Sequence, residues 1–173
     1  MNPIHIRHAV SADAVAVAQV YNHYVRTSTA TFDTETKSTA DRVAWIESRS
    51  AEHPVLVVEQ DGAIVAWGAL SPLGERPAYG HSVEISTYVA AGVTRQGVGP
   101  ALAQALVDEA RRIGHHAVVG RIVADNEPSL KMSLRLGFSE VGRLREVGYK
   151  FGRWLDLVLL ELILDTPVPK DTV

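Results

Sequence analysis

Glu84 is a lone carboxylate in the stretch Val83-Glu84-Ile85-Ser86-Thr87-Tyr88-Val89, and Gly97-Val98-Gly99 opens a run of helical spacing shortly after it. Glycines ahead of a helix start leave unpaired N–H groups at the positive end of the helix dipole, which suits a phosphate. A phosphate cradle beside a strand carboxylate points to a phosphorylated cofactor and a proton that has to be moved. Two common nucleotide motifs do not fit. A P-loop needs Gly-Lys-Ser/Thr, whereas Pro100 and Ala101 follow Gly99. The dinucleotide fingerprint needs a third glycine where Leu102 stands. What remains is a cradle without lysine, suited to a diphosphate held by backbone amides.

The elements that must position these groups are legible. Val83, Ile85, Thr87 and Val89 alternate with Glu84, Ser86 and Tyr88 as a strand requires. Val98, Leu102, Ala105, Leu106 and Ile113 recur at helical spacing. Upstream, residues 4–9 read as a strand, and Ser11 as the N-cap of a helix over 12–25. Residues 27–32 read as a loop, and Ser38 or Thr39 caps a second helix. Strands over 54–60 and 63–70 meet at Asp61-Gly62, a strong hairpin signal. Downstream come a strand over 117–123, a short helix opened by Asn126-Glu127-Pro128-Ser129, and strands over 138–147 and 154–164. The order β-α-α-β-β-β-α-β-α-β-β predicts an α/β fold with a mixed, mostly antiparallel sheet flanked by about four helices. Residues 1–165 read as a single domain and 166–173 as a loose, polar, proline-bearing tail.

Composition narrows the function. The chain has 173 residues, 46% hydrophobic and 21% charged, the balance of an ordinary globular domain. Its net charge of −3 argues against general affinity for nucleic acid or anionic membranes. No run reaches the roughly 18 apolar residues that span a bilayer. The start carries no basic-then-apolar secretion signal and there is no cysteine, so the cytoplasm is the default expectation. The seven histidines are scattered without metal-ligand spacing, and no metal is expected.

Several motifs in this order resemble the GCN5-related N-acetyltransferase (GNAT) superfamily, and within it the phosphinothricin-type subgroup. They are Tyr21-Asn22 with Val25, Ser28-Thr29-x-x-Phe32, Arg76-x-x-Tyr79, Glu84 leading to Tyr88-Val89, Gly97-x-Gly99, Asn126-x-Pro128-Ser129 and Leu136-Gly137-Phe138. The last is Val147-Gly148-x-Lys150-x-Gly152-x-Trp154-x-Asp156. The likeness runs roughly from Ile6 to Leu164, and the first loop motif and the last are the most specific to the subgroup.

The resemblance implies acetyl-CoA as donor, direct transfer to the amine of a small amino-acid-like acceptor, and a homodimer. Glu84 matches the base, since acyl transfer from a thioester needs a neutral amine. The strand stretch Thr87, Tyr88 and Val89 would pair with the pantetheine arm as an added strand does. Thr94, Arg95, Gln96, Gly97, Val98 and Gly99 would hold the pyrophosphate, with Asn126 and Ser129 beside the cofactor arm. Asn126 reads equally well as a plain helix cap. Phe32, Arg76, Tyr79 and Glu84 match positions that meet the acceptor, Arg76 being suited to clamp an anion. Trp154 reads either as core or as dimer packing.

Some positions depart from the pattern. Ser133 stands where relatives carry a histidine or tyrosine that assists the carbonyl or the departing thiolate. Thr94 replaces the arginine or glutamine that begins the pyrophosphate loop, with Arg95 beside it as a substitute. Pro100 suits the first position of a helix but removes one amide donor. Gly74 replaces a basic pocket residue of some relatives. Acetylation of a peptide or protein N-terminus, and an acyl-CoA-binding module without turnover, are the alternative readings.

Overall fold

The computed structural model describes residues 3–93 and 97–167. Seven strands form one sheet: β1 (His5–His8), β2 (Val55–Gln60), β3 (Ala63–Pro72), β4 (Ser82–Val89), β5 (Ala117–Val123), β6 (Ser139–Lys150) and β7 (Arg153–Ile163). Their order across the sheet is β1-β2-β3-β4-β5-β7-β6. Only the β4–β5 contact is parallel, so the sheet is mixed and mostly antiparallel as the element order predicts. Among the described residues four α-helices accompany it: α1 (Ala14–Thr27), α2 (Thr39–Glu47), α3 (Val98–Ile113) and α4 (Glu127–Arg135).

The sheet is covered on two sides, which explains the near-continuous apolar runs of its central strands. On one side Val98, Leu102, Leu106, Val107 and Ala110 of α3 pack on Leu56, Leu70, Val83 and Val118. On the other, Val17, Tyr21 and Val25 of α1 and Ile46 of α2 pack on Val57 and Trp67. A fully buried leucine such as Leu102 or Leu106 contributes about 1.5–3 kcal/mol. The alternation read in β4 follows these layers: Val83, Ile85 and Val89 belong to the α3 side and Tyr88 to the α1 side.

The β2–β3 hairpin turns at Asp61 and Gly62, both with positive φ (52° and 78°), the conformation of a two-residue primed turn. Ser38 caps α2 by accepting the Asp41 N–H (3.1 Å), while the Asp41 carboxylate accepts the Ser38 N–H (2.8 Å). Ser11, in contrast, is not the cap of α1. Ser11–Asp13 forms a single 3-10 turn, and the Ser11 hydroxyl donates to Glu47 of α2 (2.8 Å). Asp13 organises that turn: its buried carboxylate accepts the Val10 N–H (2.9 Å) and two bonds from Arg7 (2.7 and 2.9 Å). Pro100 is the third residue of α3 rather than the first. At the expected tail, the Thr166 hydroxyl bonds His116 Nδ1 (3.1 Å), and residues 168–173 lie outside the described residues. No helix among the described residues is long and apolar enough to cross a membrane.

Candidate active site

The site forms where β4 and β5 part company. Their parallel register runs from Ser82 opposite Ala117 to Ile85 opposite Gly120, and then stops. β4 continues to Val89 and β5 to Val123, so a gap opens between them. It holds a cleft of about 730 Å³, partly open to solvent, walled by Glu84 and Ser86 on one strand, Arg121 and Val123 on the other, and Ser129 and Ser133 of α4. A second groove, about 1010 Å³ including open solvent, continues from it past Tyr24 and Val89 to Gly97, Gly99 and Pro100. The two share Ala30, Thr87, Tyr88, Asn126, Ser129 and Met132, so they form one channel.

The backbone of β4 lines this channel with donors. The Ala90 N–H bonds Val65 O (2.8 Å) while Val89 sits opposite Ala66. In an antiparallel ladder that phasing makes Val89 a non-hydrogen-bonded position towards β3, and Thr87 two residues earlier another. The amides of both therefore point to the other edge, into the gap, in the arrangement an added extended segment needs. Val89 O on the same edge accepts the Tyr24 hydroxyl (2.7 Å). The Tyr88 ring does not enter the groove freely; it packs on Tyr21, Tyr24 and Trp67 at centroid distances of 5.0, 5.4 and 4.8 Å.

At the far end of the groove Gly97 is the N-cap of α3 with φ of +81°, a left-handed conformation that L side chains resist. Ala101 N–H is already bonded to Gly97 O (3.1 Å) and Pro100 has none. The first-turn amides left to meet an anion are thus those of Val98 and Gly99. Thr94, Arg95 and Gln96 lie outside the described residues. Asn126 is both a cap and a wall: its side chain accepts the Ser129 N–H (3.3 Å) and it lines both grooves.

Glu84 stands at the inner end. Its side chain is half-buried, and Arg121 Nη1 lies 3.3 Å from Oε2. Burial pushes the Glu84 carboxyl above its usual value, and the Arg121 charge offsets part of that rise. A carboxyl raised in this way is a better proton acceptor. Ser133 faces the same cleft. Its carbonyl accepts the Phe138 N–H (3.1 Å) while Gly137 N–H bonds Leu134 O (3.1 Å), the Schellman ending that the Leu-Gly-Phe segment specifies.

A model of the family described as the acetyltransferase (GNAT) domain matches residues 6–159. This chain belongs to the GNAT acetyltransferase family. The L-amino acid N-acyltransferase MnaT of Escherichia coli is 37% identical over 97% of this chain and 98% of its own. The phosphinothricin N-acetyltransferase of Streptomyces coelicolor is 35% identical over 91% of this chain and 95% of its own. Among solved structures, an acetyltransferase from Salmonella typhimurium determined with its cofactor acetyl-CoA superposes with a TM-score of 0.94 at 36% identity, covering 99% of this chain and 100% of that one.

In this GNAT acetyltransferase the subgroup motifs converge on one segment, residues 28–38, which reaches the channel through Ala30. Tyr21 hydroxyl bonds Thr31 Oγ1 (2.9 Å) and donates to Asp33 (2.8 Å). Asn22 bonds the Lys37 backbone twice, giving to its carbonyl (2.8 Å) and accepting its N–H (2.9 Å). Lys150, 5% exposed, donates to the carbonyls of Ser28 and Thr31, both at 2.8 Å. Gly148 lets the Phe32 ring lie on β6, because a Cβ there would come within 2.5 Å of it. Asp156 accepts the N–H of Glu146, a residue bulged out with φ of 54°. Trp154 is no core residue: it is 62% exposed and packs on Tyr149 at 4.9 Å.

The channel therefore gathers Glu84, Thr87, Tyr88, Val89, Gly97, Gly99, Asn126, Ser129 and Ser133, while Val98 is buried in the helix start behind it. Phe32, Arg76 and Tyr79 do not line it. Phe32 rests against Gly148, and Arg76 and Tyr79 are exposed around the 3-10 turn Pro77–Tyr79. Sequence reasoning missed Arg121. Its signal was there, a charged residue in the middle of the apolar strand Ala117–Val123.

Proposed function

We propose that the protein transfers an acetyl group from acetyl-CoA to the primary amine of a small amino-acid-like acceptor, with Glu84 as the proton acceptor. The observation that carries this is the continuity of the channel, from the amides at the α3 start, past those of Val89 and Thr87, to a half-buried carboxyl of raised pKa. The residues fit the co-substrate. Val98 and Gly99 N–H groups suit its diphosphate, and the gap edge of β4 suits its extended amide-bearing arm. Acetyl-CoA supplies an acyl group activated as a thioester. Glu84 takes the proton that the acceptor ammonium must lose, which leaves a lone pair on nitrogen for attack. Asn126 and Ser129 hold the α4 wall in place, and Ser133 keeps the inner end wide.

The acceptor class draws support from relatives named for L-amino acid and phosphinothricin acylation. The homodimer draws support from the β6–β7 hairpin, where Val141, Val147, Tyr149, Phe151 and Trp154 are each more than half exposed. Thiol release measured with L-amino acids, methionine sulfone, methionine sulfoximine, phosphinothricin and an alanine-ended peptide tests the reading. The chain contains no cysteine, so every thiol detected is released CoA. Turnover on the small acceptors supports it, and turnover on the peptide alone, or none at all, contradicts it.

A further inference from the structure

Among the described residues that line the inner cleft, the charged ones are Glu84 and Arg121. They project from neighbouring parallel strands at the point where the strands separate, so the backbone fixes their spacing. Their 3.3 Å approach is longer than the roughly 2.7–2.9 Å of a well-formed charge-assisted bond. Among the described residues the Arg121 guanidinium pairs with Glu84 alone, and the side chain is 44% exposed. The other basic groups near this end are committed or elsewhere. Lys150 is buried on two carbonyls, Arg153 is paired with Asp125, and Arg76 lies outside the cleft.

We propose that Arg121 anchors the acceptor's carboxylate, so that Glu84 and Arg121 together read the zwitterionic head of an α-amino acid. This rests on the function proposed above and narrows its substrate class. An α-amino acid carries an ammonium and a carboxylate on one carbon, the mirror of a carboxylate and a guanidinium held side by side. The acceptor's ammonium replaces Arg121 at Glu84, and its carboxylate replaces Glu84 at Arg121. The guanidinium fork can meet that carboxylate with two donors, which a side-on contact to Glu84 does not use. The small Ser133 side chain opposite leaves room for the exchange. Arg121 is then a specificity residue that touches substrate, and acceptors lacking the acid lose its contribution.

Steady-state kinetics on L-methionine sulfone, its carboxamide and its decarboxylated amine test this in the wild type and in Arg121→Gln and Arg121→Lys. The glutamine variant is expected to lower kcat/KM for the free acid by roughly 10²-fold relative to the other two compounds, the scale of removing one partner of a charged hydrogen-bonded pair. Lysine should restore part of the difference. Loss of Arg121 also raises the Glu84 pKa, but that affects all three acceptors alike and cancels in the ratio. An unchanged acid-to-amide ratio in Arg121→Gln overturns the assignment. Absence of wild-type turnover on the series would count against the proposed function instead. In that case calorimetry of the three compounds with CoA-saturated protein decides the inference by itself: selective loss of acid binding in Arg121→Gln supports it, and equal binding overturns it.

Discussion

Lys150→Met tests whether the subgroup motifs serve as scaffolding for the segment 28–38 that reaches the channel through Ala30. The change keeps the four-atom stem of the side chain and removes the ammonium at its end. In the native protein that ammonium is almost fully buried and bonds the carbonyls of Ser28 and Thr31 at 2.8 Å each. Hydrogen bonds from a charged group contribute about 1.5–3 kcal/mol each, so losing both costs about 3–6 kcal/mol in the first instance. Part is returned, because burial disfavours the charged ammonium and pushes its pKa down. A net loss of about 2–4 kcal/mol follows, with two carbonyls left unpaired. The segment also brings Ala30 to both the inner cleft and the outer groove, so KM for the acceptor should rise several-fold and acetyl-CoA affinity should fall with it. Urea denaturation gives the first quantity, and thiol release with calorimetry the others. A stability change below about 0.5 kcal/mol with an unchanged acceptor KM would refute the scaffold argument.

Asp13→Ala should lower stability by about 1–3 kcal/mol in chemical denaturation, since it removes two bonds from Arg7, which keeps Glu59 and the His8 carbonyl, and leaves the Val10 N–H without its acceptor. The hydrogen bonds from Arg7 hold the Asp13 pKa below its usual value, so its contribution is present above the unfolded pKa and is lost as pH falls through the folded one. The wild type should therefore lose stability in acid over that window more than the variant does. Gly97→Asp should cost about 1–2 kcal/mol of stability, because φ at Gly97 is +81° and aspartate adopts the left-handed region only at a cost. The same carboxylate would face the diphosphate, and calorimetry should register at least a tenfold loss of acetyl-CoA affinity. Trp154→Glu places a charge on the exposed β6–β7 face and should give monomers in sedimentation while keeping the native circular dichroism; dimers of normal affinity would remove this face from the interface.

What the sequence disclosed depended on how local the cause was. The Asp61-Gly62 turn, the Ser38–Asp41 cap and the Leu136-Gly137-Phe138 helix ending are set by residues within a few positions, and each forms as expected. Glu84 and the helix after Gly97 were legible for the same reason. Ser11 was misjudged because its partner, Glu47, is 36 residues away and Asp13 takes over the turn with Arg7. Arg121 was invisible as a partner of Glu84, since that depends on the parallel register of β4 and β5. The mutual contact of Lys150, Ser28 and Thr31 likewise needed the fold, although both motifs stood out separately. The expected role of Arg76 rested on a resemblance in an exposed loop, and neither pattern nor spacing could fix where that loop lies.

The most direct test of the account is the pH dependence of kcat/KM for wild type and Glu84→Gln, with acetyl-CoA affinity measured in parallel. In the proposed mechanism the ionised carboxylate is the active form, so the wild-type rate should rise with pH through a Glu84 pKa above the usual glutamate value of 4.5. Glu84→Gln should bind acetyl-CoA normally, lose that limb, and turn over about 10²–10⁴-fold more slowly. A variant with wild-type turnover and the same profile would contradict the central claim.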